Sequence, residues 1–112
     1  PGGMPGTLNL EKSPVEQKAI DWAVENDKLI CAICAAPSIL GHKGLLDGKK
    51  ATCFPGFECE LASAQIVDAR VITDGIFTTA KDYTCATEFA NELISLLESS
   101  NSQEIPENNE EA

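Results

Sequence analysis

Lys28-Leu29-Ile30-Cys31-Ala32-Ile33-Cys34-Ala35-Ala36-Pro37-Ser38-Ile39-Leu40 is the stretch on which the reading of this chain turns. Residues 29–33 form an unbroken apolar run, the pattern of a strand buried on both faces inside a parallel sheet. Two alanines follow, then Pro37, which fits the first turn of a helix because the amide it lacks would have no partner there. Cys34 therefore stands at a strand-to-helix corner. A thiol at such a corner faces amides of the first helical turn, which favour negative charge and make a thiolate nucleophilic and oxidisable near neutral pH. The same pattern also suits a cysteine that packs as a small hydrophobe. The run alone leaves both readings open.

Outward from this corner the chain alternates helix and strand, as α/β folds do. Ser13-Pro14-Val15-Glu16 reads as a helix start with Ser13 as N-cap and Glu16 placed for a capping box. Val15, Ala19, Ile20, Ala23 and Val24 recur at helical spacing, so the helix is expected to reach about Glu25. Trp22 reads as a packing or partner contact. Beyond the corner, residues 51–54 read as a short strand, and Val71-Ile72-Thr73, Asp74-Gly75 and Ile76-Phe77-Thr78-Thr79 read as a hairpin. A last helix is expected over residues 85–98, capped by Thr84, with Phe89, Leu93 and Leu97 facing the core. Residues 1–7, with three glycines and two prolines, read as a loop.

The 112 residues suit one domain over residues 1–98 followed by an acidic, disordered tail over residues 99–112. With 8 Lys plus Arg against 18 Asp plus Glu, the formal charge of −10 repels phosphate backbones, so nucleic acid is not an expected partner. No stretch approaches 18 apolar residues, and no membrane association is expected. Five cysteines, an odd number without repeated spacing, point to a reducing cytoplasm instead of a disulfide framework. Cys53 and Cys59 lack both the usual spacing and a second ligand pair for a metal, so neither metal nor cofactor is expected. His42 is the one histidine. It lies about two helical turns, roughly 12 Å of rise, past the corner and reads as a surface group, not as the base of the thiol.

Ala32-Ile33-Cys34-Ala35-Ala36-Pro37 with Leu40 resembles the nucleophile elbow of the ThiJ/PfpI superfamily, in the branch of the parkinsonism-associated protein DJ-one. Pro1-Gly2-Gly3 with Asn9-Leu10 resembles the family's Pro-Gly-Gly loop, and Asp74-Gly75 followed by Glu88-Phe89-Ala90 is similar to its ending. The likeness runs from Pro1 to about Leu97. It implies a flavodoxin-like, class I glutamine amidotransferase-like three-layer α/β sandwich with a mostly parallel sheet. A Pro-Gly-Gly loop ordinarily follows a strand, so the chain is expected to lack N-terminal strands, among them the one bearing an acidic partner of the cysteine. The resemblance further implies Cys34 as catalytic nucleophile, the amides of Gly3 and Ala35 as oxyanion hole, Phe54 as a pocket wall, and a homodimer. Two departures stand out. In the human branch a His occupies the place of Phe54, and most relatives have a Gly-Pro-Gly-like turn where this chain has Asp82-Tyr83-Thr84-Cys85.

The implied activity is cysteine-dependent detoxification of small reactive aldehydes such as methylglyoxal, or of their early adducts on glycated side chains. The alternative is a redox-sensing protective or chaperone-like protein whose Cys34 is oxidised to sulfinic acid. A thioredoxin-like pair of Cys31 and Cys34 is disfavoured because Cys31 lies inside the apolar run and not at a helix start. Ala35, where peptidase-like relatives carry His, argues against proteolysis. The lack of a downstream His and Glu argues against a Cys-His-Glu amidotransferase.

Overall fold

A computed structural model describes residues 2–109, with side chains described for residues 2–99. Pro1, the first residue of the expected loop, and residues 110–112, the end of the expected tail, lie outside the described residues.

The apolar run forms β1 (Ile30–Ile33). It pairs in parallel with β5 (Phe77–Ala80), which pairs antiparallel with β4 (Val71–Asp74), giving the order β1-β5-β4. A second parallel pair joins β2 (Lys50–Ala51) to β3 (Gln65–Ile66). The Lys50 amide donates to Asp74 Oδ2 at 2.8 Å and the Thr52 amide to Thr79 Oγ1 at 2.9 Å, tying β2 to the larger sheet. The larger sheet is mixed, and two of the three strand pairings in the described residues are parallel, in keeping with the α/β reading. β5 is its centre, and all four of its residues are buried.

β1 departs from the expectation of a strand buried on both faces. Only Ala32 is buried, while Ile30, Cys31 and Ile33 are half-buried. The physical reason is pairing: among the described residues β1 has a neighbour on one side only, β5.

The hairpin between β4 and β5 forms where the β-branched residues flank Asp74-Gly75. Asp74 pairs with Phe77, so the two connecting residues are Gly75 and Ile76, one position later than the sequence suggests. Gly75 has φ +65° while Ile76 stays at negative φ, the pattern of a type II′ turn, which needs glycine first.

Helices cover the sheet. In α1 (Gly6–Glu11) the chain becomes helical one residue before the expected loop ends. α2 (Pro14–Glu25) starts as expected, with the Glu16 amide donating to Ser13 Oγ at 3.3 Å. The reciprocal half of the capping box is replaced, because the Ser13 amide donates to Leu10 O. Ile20 is the buried residue of α2, whereas Val15 and Trp22 are exposed. α3 (Pro37–His42) leaves the corner and packs on a 3₁₀ turn at Glu58–Leu61. α4 (Ala86–Asn109) packs on β4 and β5 and continues past Glu98, the end expected for it. Its sheet-facing residues are Phe89, Leu93 and Leu96. Leu97 is exposed, because the row advances by three at that point.

The core joins Ile20 of α2, Ala32 of β1, Ile39 and Leu40 of α3, and Phe77 of β5 to the fully buried Leu46 and Leu61. Burying a leucine of this kind contributes about 1.5–3 kcal/mol. This packing fixes α3 against the sheet, and so fixes the corner between them. Among the described residues no helix is long and apolar enough to cross a membrane.

Candidate active site at the strand corner

β1 and β5 run in parallel, so their carboxyl ends lie together, and both chains turn there. Cys34 follows β1 directly and adopts φ +64°, a left-handed backbone that non-glycine residues seldom take. The conformation is held from both sides. The Cys34 amide donates to Ala80 O at 3.0 Å, extending the β1–β5 ladder, and the Cys34 carbonyl accepts from the Phe54 amide at 2.8 Å. Ala36 N then bonds Ile33 O, and Ser38 bonds Ala35 O through both its amide and its hydroxyl, at 3.1 and 2.6 Å. Surroundings that over-determine one strained residue in this way characterise functional sites. The bend turns Cys34 out of the sheet and leaves its side chain half-exposed, with Ala35 and Ala36 buried behind it.

The N-terminal loop lies across this corner. A Cβ on Gly2 would stand 2.5 Å from Cys34 Cβ, 2.6 Å from Ile33 O and 3.1 Å from Ala35 N, so only glycine permits the approach. Gly3 follows at φ +88° and accepts from Thr7 N at 2.8 Å, which anchors the loop to α1. Among the described residues neither the Gly3 amide nor the Ala35 amide has an acceptor. Gly2, Gly3, Ile33, Cys34, Tyr83 and Ala86 line an open cavity of about 420 Å³.

Cys34 and Gly3, proposed from the sequence, line one cavity, while Ala35 follows Cys34 in the chain, is buried and is not among the lining residues. Phe54 comes to the corner by its amide. Its ring stands edge-on to Phe57, with centroids 6.3 Å apart, and is not among the residues lining the cavity. His42 takes the surface position expected for it. Its Nδ1 meets Glu11 Oε2 at 2.5 Å and its Nε2 meets Glu60 Oε1 at 2.6 Å, joining the ends of α1 and α3 to the 3₁₀ turn. The Glu11 hydrogen bond, then that of Glu60, raises the imidazole above its ordinary pKa. Burial pushes the Cys31 thiol up to about 11. Burial, followed by the Glu58 carboxylate, does the same to Cys53. Neither is suited to act as a thiolate at neutral pH.

The turn after β5 is capped by Asp82 and not by Thr84. The Asp82 carboxylate accepts from the Thr84 amide at 2.9 Å and from the Thr84 hydroxyl. Arg70 holds the same turn from β4's side, donating to Thr84 O at 2.8 Å and to Glu88 Oε2 at 2.5 Å. Gly2 and Tyr83 were not singled out as site residues by sequence. The doubled glycine and the lone tyrosine of the chain, set in the unusual Asp82-Tyr83 turn, were the available signals.

A cysteine at positive φ thus follows β1 beneath a glycine loop, at the position where the sequence resemblance expects the family's cysteine. The family model described as DJ-1/PfpI family matches residues 1–96. The chain belongs to the DJ-1/PfpI family. Protein DJ-1 homolog B of Arabidopsis thaliana is 38% identical over 99 residues, 87% of this chain and 23% of that protein. A deglycase of Pyrococcus horikoshii is 29% identical over 99 residues, 84% of this chain and 60% of that protein. The crystal structure of oxidized Toxoplasma gondii DJ-1 superposes with a TM-score of 0.81 at 35% identity, over 87% of this chain and 53% of that one. The chain thus spans from about a quarter to three fifths of the length of these relatives, and it shares the DJ-1/ThiJ/PfpI fold with them.

Proposed function

We propose that this DJ-1/PfpI chain carries the nucleophilic half of a cysteine-dependent site for small reactive carbonyl compounds, with α-oxoaldehydes such as methylglyoxal, or their early adducts on side chains, as substrates. The observation that carries the reading is Cys34, held at φ +64° beside an open cavity, with the Gly3 and Ala35 amides lacking an acceptor among the described residues. A relative named as a deglycase supports the substrate class.

In this reading the Cys34 thiolate adds to the aldehyde carbon. A C–S bond forms, the carbonyl π electrons move to oxygen, and the Gly3 and Ala35 amides receive the oxyanion. Protonation gives a hemithioacetal. Transfer of a proton from C1 to C2 through an enediol converts it to a thioester of the hydroxy acid, and water then releases the acid and regenerates the thiol. No electron leaves the system, and the sum is aldehyde plus water to hydroxy acid. The lining residues bear no charged side chain, so the general base for the C1 proton lies beyond them. Phe54 contributes through its amide, which steadies the Cys34 carbonyl.

The same thiol, half-exposed and flanked by free amides, also suits oxidation to sulfenic and sulfinic acid, and the matching Toxoplasma structure is titled oxidized. Methylglyoxal consumption by the purified protein, with Cys34→Ser alongside, separates the two. Turnover that depends on Cys34 supports the carbonyl site. A Cys34 that is oxidised by peroxide but turns over no aldehyde supports the redox role.

A further inference from the structure

The turn after β5 presents Tyr83 to solvent at the mouth of the Cys34 cavity, with 80% of the residue exposed. The turn that carries this ring is held by its own side-chain contacts. Asp82 caps the turn, Cys85 is fully buried beneath it, and Arg70 clamps it to α4 through Thr84 O and Glu88. The backbone is therefore fixed, and the ring is offered as part of a prepared surface. Its companions in the lining are Gly2, Gly3, Ile33, Cys34 and Ala86. None is charged. The one carboxylate of the turn, Asp82, is engaged by Thr84 and Cys85.

We infer that Tyr83 is the specificity-determining residue of the Cys34 site, its ring forming a wall that selects uncharged carbonyl compounds bearing an apolar or aromatic substituent over charged ones. The inference deepens the carbonyl-site reading and rests on it for the identity of the substrate. The wall itself depends only on the juxtaposition of Tyr83 and Cys34. A flat substituent stacked on Tyr83 gains the offset or edge contact that aromatic rings prefer, while a carboxylate entering the cavity loses water and meets no cationic side chain among the lining residues.

The test uses the full chain and two independent readouts. The first is the rate of Cys34 alkylation by N-phenyliodoacetamide, iodoacetamide and iodoacetate, followed by peptide mass spectrometry. The second is kcat and KM for phenylglyoxal and methylglyoxal. Tyr83→Ala is expected to lower the N-phenyliodoacetamide to iodoacetamide rate ratio by about 2- to 10-fold and to raise KM for phenylglyoxal by a similar factor. Tyr83→Phe is expected to keep the wild-type ratio, because the ring and not the hydroxyl makes the wall. An unchanged ratio in Tyr83→Ala overturns the proposal, even if methylglyoxal is turned over. A collapsed ratio in a protein that turns over neither aldehyde upholds Tyr83 as the wall and refutes the carbonyl function. Iodoacetate reacting faster than iodoacetamide in the wild type also overturns the proposal.

Discussion

Replacing Gly2 by Ala probes the seat of the N-terminal loop on the corner. The added Cβ would stand 2.5 Å from Cys34 Cβ and 2.6 Å from Ile33 O, and must withdraw to the 3.4 Å at which ordinary contact begins, so the loop rises by about 0.9 Å. The obstructing atoms are backbone or a Cβ, and none of them can swing aside. Overpacking of this kind typically costs about 1–3 kcal/mol. At about 4–8 °C per kcal/mol for a domain of this size, the melting temperature should fall by roughly 4–24 °C. The catalytic effect should be larger than the stability effect suggests. Gly3 is carried by the same loop, and misplacing one oxyanion donor by about 1 Å costs on the order of 100-fold in rate. Gly3→Ala is the matched control. Nothing lies within 4 Å of its added Cβ, so its penalty comes only from holding alanine at φ +88°, about 1–2 kcal/mol. Thermal melting and kcat/KM for methylglyoxal, measured on both variants, decide the matter. Wild-type stability and rate in Gly2→Ala would refute the seating of the loop on Cys34.

Three further predictions concern the surroundings of the site. His42 has its pKa raised by Glu11 and Glu60, so its stabilising effect is complete below the ordinary imidazole value of 6.5 and is lost as pH rises through the raised folded value. The group is partly exposed, so the effect should stay under about 1 kcal/mol, and His42→Gln should flatten the fall in melting temperature on the alkaline side of 6.5. Leu61, in the 3₁₀ turn that packs on α3, is fully buried, and Leu61→Ala should cost about 2–5 kcal/mol by denaturant titration, with the midpoint shifted and the slope unchanged. In a Cys59→Ser background, iodoacetamide at neutral pH should label Cys34 well ahead of Cys31 and Cys53, whose thiols burial pushes up to about 11, as read by peptide mass spectrometry.

The corner was legible because its signals are local. An apolar run, small residues and Pro37 specify strand, bend and helix within ten positions, whereas the sandwich architecture is what the resemblance to the family implies. Ser13 was legible as a cap for the same reason. Other features depend on partners distant in sequence. The exposure of Ile30, Cys31 and Ile33 depends on what pairs beside β1, and no local pattern encodes that. Val15 and Ala19 share helical spacing with Ile20, yet the face of α2 that meets the sheet excludes both. Asp82 took the capping role expected of Thr84 because its side chain reaches the Thr84 amide two residues on, a choice between two good caps that propensity does not settle. Gly2 is written as glycine in the sequence, but the contact that requires glycine there spans more than thirty positions of chain.

The most direct test of the central claim is the turnover of methylglyoxal to its hydroxy acid by the purified protein and by Cys34→Ser, with Cys59→Ser as the cysteine control. The account predicts hydroxy-acid formation that falls by at least about 1,000-fold in Cys34→Ser and is unchanged in Cys59→Ser. Equal turnover by the wild type and Cys34→Ser would contradict it.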